Sequence, residues 1–281
     1  MAPSDRAPLL IVDGDNLAHR AYHSTPKTVR GADGRAINAV VGFFGMLSNL
    51  WLGVQPRAIF VAWDTLAVPT YRHELWPDYQ GGREFDPEIL EQLELLPGLC
   101  AAAGCGVGKA GGYEADDLMA AAVREELADG GSCLLFTSDR DAYQLVSDRV
   151  QVLASKRGVS EMDRIGPAEV VERLGVLPEQ VPDFKALAGD SSDRIPGARG
   201  IGPKKAAALL LQHGDLDGVL EAINRPAEEA QIRRFHDMVL MRPDAEVTLP
   251  DGPPRWAGVA VPLRDLGADR IAARLGELDA S

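Results

Sequence analysis

The chain has 281 residues, 46% of them hydrophobic, and a formal net charge of −13 at pH 7. That is enough apolar chain for one large domain or two ordinary ones; no run reaches the roughly 18 apolar residues of a membrane span, and the opening MAPSDRAPLL has no signal-peptide pattern, so a cytoplasmic protein is expected. Three cysteines without a C-x-x-C pair and five histidines without H-E-x-x-H argue against disulfides and zinc, and the acidic balance counts against a nucleic-acid partner unless the acids are gathered in one cleft.

Taken in chain order, three β-rich apolar runs each end in aspartate: "PLLIVDGD" in Asp13, "RAIFVAWD" in Asp64, and "CLLFTSDRD" in Asp139 and Asp141. Uninterrupted apolar runs of this length read as strands buried on both faces, hence a mostly parallel sheet covered by helices. Segments 38–52, 86–103 and 114–128 have helical spacing, so the order β-α-β-α-α-β predicts an α/β domain. Further on, "PAEEAQIRRFHDMVLM" reads as a helix, "AGVAVPL" as a short strand and "ADRIAARLGEL" as a terminal helix, all assigned to packing.

In such sheets ligands bind at the carboxyl ends of the strands. One aspartate there is ordinary turn chemistry, but four on three strand ends are more than turns require. The helix start "GGYEADDL" adds Glu114, Asp116 and Asp117, where one or two acids would suffice for capping. Seven carboxylates are thus expected on one rim. Like charges held close raise one another's pKa, and divalent metal relieves that. With oxygen ligands and no Cys or His in the pattern, Mg²⁺ or Mn²⁺ fits, in two or more copies. Paired ions about 4 Å apart are the usual machinery for attack of water on a phosphodiester.

The segment "FKALAGDSSDRIPGARGIGPKKAAALLLQHGDLDGVLEAI" adds Asp190 and Asp193 at i, i+3 and a Gly200-Ile201-Gly202 turn before a helix opened by Pro203. A glycine turn at a helix N-terminus offers backbone N–H groups to phosphate. Lys185, Arg194, Arg199, Lys204 and Lys205 surround it, a local basic excess in an acidic chain; the plainer reading is a helical hairpin with solvated lysines.

These residues carry a resemblance. "LLIVDGDNLAHRAYHS", "INAVVGFFGML", "YRHELWPDYQGGR", "GGYEADDL", "TSDRDAYQLVSDRV" and "GDSSDRIPGARGIGPKKA" occur in the order found in the 5′-nuclease family, which includes the nuclease domain of bacterial DNA polymerase I, phage 5′-exonucleases and flap endonucleases. The resemblance spans residues 9 to 223 and implies an α/β, PIN-like nuclease core over 1–165, with a helical arch at about 71–112. It also implies a helical, helix-hairpin-helix type DNA-binding subdomain within 166–281. The chain is expected to be a stand-alone, monomeric nuclease associated with the nucleoid.

By the same resemblance, Asp13, Asp64, Glu114, Asp116, Asp117 and Asp139 serve mainly a first metal site, and Asp141, Asp190 and Asp193 mainly a second. The cut would leave a 5′-phosphate and a 3′-hydroxyl. Arg72 and Arg83 are expected to hold the scissile phosphate and Tyr79 to stack on a base. Lys204 and Lys205 are expected on the duplex backbone, with K⁺ at the Gly200–Gly202 hairpin. In the family's arch motif, Y-K-x-x-R, a lysine follows the tyrosine; here Gln80 stands in its place. Losing a cation aimed at developing charge costs on the order of a hundredfold in rate, by analogy with removal of one preorganised donor.

Three readings therefore stand: a metal-dependent 5′-nuclease on flapped or 5′-ended DNA, a catalytically weakened DNA-binding protein of the same fold, and a phosphatase or ribonuclease of another α/β metal-dependent family. "VDGDN" alone suits the last, which leaves EADD, TSDRD and GIGPKK unexplained.

Overall fold

In the computed structural model the described residues are 6–65, 68–76, 79, 85–157 and 161–279. The apolar runs form the strands expected of them. β1 (Leu9–Asp13), β2 (Ala58–Ala62), β3 (Gly106–Gly108), β4 (Cys133–Phe136), β5 (Val150–Arg157) and β6 (Glu161–Ile165) build one sheet of order β3-β2-β1-β4-β5-β6. Every pairing is parallel except β5 with β6. The short β3 and the polar edge strand β6 have no clean apolar run in the sequence.

Period-2 geometry splits each strand between two cores. Leu9, Ile11, Phe60 and Leu135 face one side; Leu10, Val12, Val61 and Phe136 face the other. Against the second face lie α1 (Gly14–Ser24), α2 (Asn38–Val54) and, beyond the short α3 (Tyr71–Leu75), α4 (Pro87–Ala102). Against the first lies α5 (Ala115–Ala128), whose Leu118, Met119 and Ala122 are fully buried.

The second half of the chain is helical: α6 (Pro167–Leu174), α7 (Val181–Ala188), α8 (Pro203–His213), α9 (Leu216–Ile223) and α10 (Pro226–Val239). The last two helices, α11 (Trp256–Asp265) and α12 (Asp269–Leu278), return to pack on α4 and α2, so the tail of the expected 166–281 unit belongs to the α/β half. "AGVAVPL", expected as a strand, is the middle of α11. Its β-branched residues mislead, whereas Trp256, Val259, Ala260 and Leu263 repeat at i, i+3, i+4 and i+7 and are buried. Much of segment 71–112, expected as an arch, belongs to the core instead. Ile89, Leu93 and Leu96 bury α4 in the core, and β3 is part of the sheet. Gln80, Arg83 and the glycines between them lie outside the described residues.

Candidate active site

The chain leaving each of the parallel strands β1 to β4 delivers carboxylates to one rim. β1 ends in Asp13, which caps α1 by accepting from Asn16 N–H at 2.9 Å. Gly14 follows because a Cβ there would sit 2.6 Å from the Trp63 ring, at the end of β2. The chain visits β1, β2 and β3 on one side of the sheet and β4 to β6 on the other, which makes the β1/β4 gap the topological switch point where such sheets bind ligands. Across that gap Thr137 donates its hydroxyl to Asp13 Oδ2 at 2.8 Å. Asp64, two residues past β2, accepts from the first N–H of α5, that of Ala115, at 2.7 Å.

The rim encloses a cavity of about 340 Å³ lined by Asp13, Asp15, Asp64, Glu114, Asp116, Asp139, Asp141 and Asp193. Burial, together with the charges of Asp64 and Asp139, pushes Asp13 from its ordinary 3.8 to about 7, despite the Asn16 and Thr137 donors. Burial and the neighbouring charges of Asp139 and Asp13 push Asp116 well up. Burial also raises Glu114, against the pull of Arg72. These oxygens are mutually repelling acceptors, suited to hard divalent cations.

Asp15 was not among the residues expected here. It holds the Asp64 N–H at 2.8 Å and lines the cleft, and burial with the Asp64 charge drives its pKa well up. The only signal for it was its place two residues past Asp13 in VDGD, where it reads as first-turn helix chemistry.

A second group lies beside the first. One carboxylate oxygen each from Asp141, Asp190 and Asp193 falls within 4.8 Å of the others. Their loop is pinned by a two-way backbone pairing of Asp190 with Ile195, at 2.8 Å each way. Gly197, at φ 72°, closes it where a Cβ would strike the Gly189 and Ala188 backbone.

Several expected roles change. Asp117 does not line the cavity and is fully buried. Its oxygens accept from both terminal nitrogens of Arg72 (2.7 and 2.9 Å), from Arg242 N–H (2.9 Å), from Glu114 N–H (3.1 Å) and from Tyr71 hydroxyl (3.2 Å). It is a structural counter-ion and helix cap, with its lone pairs spent away from the cleft. Arg72, expected on the scissile phosphate, is 3% exposed and also donates Nε to the Met238 carbonyl at 2.8 Å. It braces α3 against α5 and α10. Tyr79, expected to stack on a base, is buried and donates its hydroxyl to Glu114 at 2.9 Å; burial raises its pKa and keeps it a donor. Lys185, expected on DNA, is buried against Asp190 at 2.6 Å and against Asp141.

The remaining expected cations are on the surface. Arg194, Arg199, Lys204 and Lys205 are exposed, as are Gly200 and Gly202. Gly200 has φ 71° with open space beside its Cα, and α8 begins after Gly202 without a side-chain cap; Pro203 carries no N–H and the Lys205 and Ala206 N–H groups turn back to the Gly202 carbonyl at 3.0 and 2.9 Å.

An α/β fold with a carboxylate-lined cleft at its switch point, joined to a helical half with an exposed basic turn, defines the class. Family models described as "5′-3′ exonuclease, N-terminal resolvase-like domain" and "5′-3′ exonuclease, C-terminal SAM fold" match residues 8–175 and 176–245. DNA polymerase I of Mycobacterium tuberculosis (strain ATCC 25618 / H37Rv) is 40% identical over 228 residues, covering 79% of this chain and 25% of that protein. DNA polymerase I of Bacillus subtilis (strain 168) is 32% identical, covering 98% and 33%. The chain thus spans about a quarter to a third of the length of these curated relatives. Among solved structures, T5 D15 protein co-crystallized with metal ions superposes with a TM-score of 0.70 at 21% identity, over 97% of this chain and 99% of that one. Flap endonuclease-1 from Methanococcus jannaschii superposes with a TM-score of 0.63 at 16% identity, over 98% and 93%. The chain belongs to the 5′-3′ exonuclease family and is a nuclease.

Proposed function

We propose that this protein is a structure-specific 5′-nuclease that hydrolyses phosphodiester bonds at or near 5′ ends and 5′ flaps of DNA, leaving a 5′-phosphate and a 3′-hydroxyl, in replication and repair. The observation that carries the reading is the convergence of eight carboxylates from four strand ends and the 190–193 loop on one cavity.

Asp13, Asp15, Asp64, Glu114, Asp116 and Asp139 are placed to hold one divalent ion, and Asp141, Asp190 and Asp193 another, with Mg²⁺ or Mn²⁺ matching the all-oxygen donor set. When bound, such ions supply Lewis acidity for the attacking water and neutralise charge at the leaving oxygen. The protein's own groups do the positioning. Thr137 and Asn16 aim Asp13, the N–H of Ala115 aims Asp64, and Thr70 and Tyr79 hold Glu114. The exposed Gly200–Lys205 turn is placed to grip duplex phosphates, with K⁺ at its main-chain oxygens. A monomer working at the nucleoid in the cytoplasm completes the reading.

The neutral Gln80 favours a second reading, a weakened nuclease acting mainly as a DNA-binding protein. A substrate panel separates the readings. Cleavage of flapped DNA in preference to matched RNA and a small phosphomonoester is expected. Tight flap binding without turnover supports the second reading, and preferential phosphomonoester hydrolysis contradicts both.

A further inference from the structure

The second carboxylate group already has a cation in it. Lys185, on α7, directs its ammonium at Asp190 Oδ2, 2.6 Å away, and also contacts Asp141 Oδ1. Its side chain is only 10% exposed. These are two of the three carboxylates whose oxygens cluster within 4.8 Å. We infer that Lys185 is the resident counter-cation of this cluster, and that its ammonium and a divalent ion compete for the same oxygens, so that the lysine must withdraw for the ion to bind.

Three carboxylates confined this closely repel, and a buried anion without a partner is costly, so the metal-free fold needs positive charge there. Lysine is suited to supplying it reversibly. Its ammonium is a compact point charge on a flexible four-carbon stem, whereas a guanidinium would be fixed by its fork geometry. There is also somewhere for it to go. A second cavity, of about 460 Å³, is bordered by Lys185 and Asp190 and extends to Ser138, Arg140 and Phe184. An ammonium turned into that space keeps its charge solvated while vacating the carboxylate oxygens. Binding at the second site is then an exchange of one cation for another. Its affinity is lower than the acid count implies, because each ion that enters must first break the Lys185 pairs.

The inference rests on the reading of this cluster as a metal site, and titration tests the two separately. Mn²⁺ binding is measured by calorimetry and by electron paramagnetic resonance on the wild type, Lys185→Met and Lys185→Arg, with circular dichroism to confirm the fold. In Lys185→Met the weaker Mn²⁺ site is expected to tighten tenfold or more, while Lys185→Arg binds that ion no more tightly than the wild type. The metal-free melting temperature of Lys185→Met is expected to fall and to recover with Mn²⁺ by a larger shift than the wild type shows. Lys185→Gln, which keeps a donor for Asp190, carries the test where the methionine variant does not fold. Unchanged or weaker Mn²⁺ affinity in the neutral variants, with the wild type binding two ions, overturns the competition alone. Failure of the wild type to bind a second Mn²⁺ overturns it together with the metal reading of the cluster.

Discussion

Arg72 lays its guanidinium along the carboxylate of Asp117, with two parallel hydrogen bonds of 2.7 and 2.9 Å, and neither side chain is more than 4% exposed. The pair sits where three parts of the chain meet. α3 contributes Arg72, α5 contributes Asp117, and the end of α10 with the segment after it contributes the Met238 carbonyl and the Arg242 N–H. Tyr71, under the guanidinium of Arg242, shares its one hydroxyl proton between Asp117 at 3.2 Å and the Leu240 carbonyl at 3.0 Å. The helical half is thereby tied to α3 and α5, one helix turn from the acids that line the cleft.

Breaking that pair from one side strands a buried charge. Arg72→Met is expected to destabilise the protein by about 3–5 kcal/mol, the usual cost of orphaning one member of a buried ion pair. Urea unfolding of the single variants and of Arg72→Met with Asp117→Leu checks it. The double variant is expected to be more stable than Arg72→Met alone. A loss below about 1 kcal/mol in Arg72→Met, well short of that cost, would show that the pair is a bystander.

The cleft acids set a pH dependence. Asp13 has a folded pKa of about 7 against an ordinary 3.8, and Asp15 and Asp116 shift the same way, so the metal-free native state holds more protons than the unfolded chain between about pH 4 and 7. Stability therefore falls as pH rises through that window. At Asp190 burial is outweighed by Lys185 and Ser192, which hold the pKa below its ordinary value; it contributes the opposite slope, lost only as pH falls through that lowered value. Thermal melts in EDTA are expected to give a higher melting temperature near pH 5.5 than near pH 7.5, and Mn²⁺ to abolish or reverse the difference. A metal-free protein that becomes steadily more stable up to pH 7.5 would contradict the clustering.

The sheet and the acid rim were legible in the sequence because both rest on local signals: apolar runs ending in aspartate, and a helix start with more acid than capping uses. What was not legible is which acids face the cleft. Asp116 and Asp117 are neighbours in sequence, yet a helix turns them about 100° apart, so one lines the cavity and the other meets Arg72. The burial of Arg72 and Lys185 was equally hidden, since a basic residue within a motif reads alike whether its partner is a phosphate or a buried carboxylate 45 residues away. α11 was misread because seven residues cannot show whether β-branched side chains repeat at two or at 3.6.

Lys204 and Lys205 sit exposed in the first turn of α8, clear of the cleft acids. Replacing both with alanine is expected to weaken flap-DNA binding uniformly across sequences, to reduce the salt slope of log K by about 1 for each phosphate left without its lysine, and to leave the melting temperature unchanged. Fluorescence anisotropy over a salt series measures it. An unaltered slope would place the duplex elsewhere.

By the resemblance to the 5′-nuclease family, Gln80 falls where the arch motif is expected to carry lysine. Gln80→Lys is expected to raise single-turnover cleavage of a flap substrate by about tenfold or more if a missing cation limits the rate. No change would show that the missing lysine is not what limits the rate.

The central claim, that the carboxylate cleft is a metal-dependent phosphodiesterase centre, is tested most directly by one cleavage assay. A 5′-labelled flap duplex is incubated with the wild type and with Asp116→Asn, in Mg²⁺ or Mn²⁺ and in EDTA, and the product ends are analysed. The wild type with metal is expected to release fragments bearing 5′-phosphate and 3′-hydroxyl, with cleavage abolished by EDTA and reduced at least a hundredfold by Asp116→Asn. Cleavage that persists in EDTA or survives Asp116→Asn would contradict it.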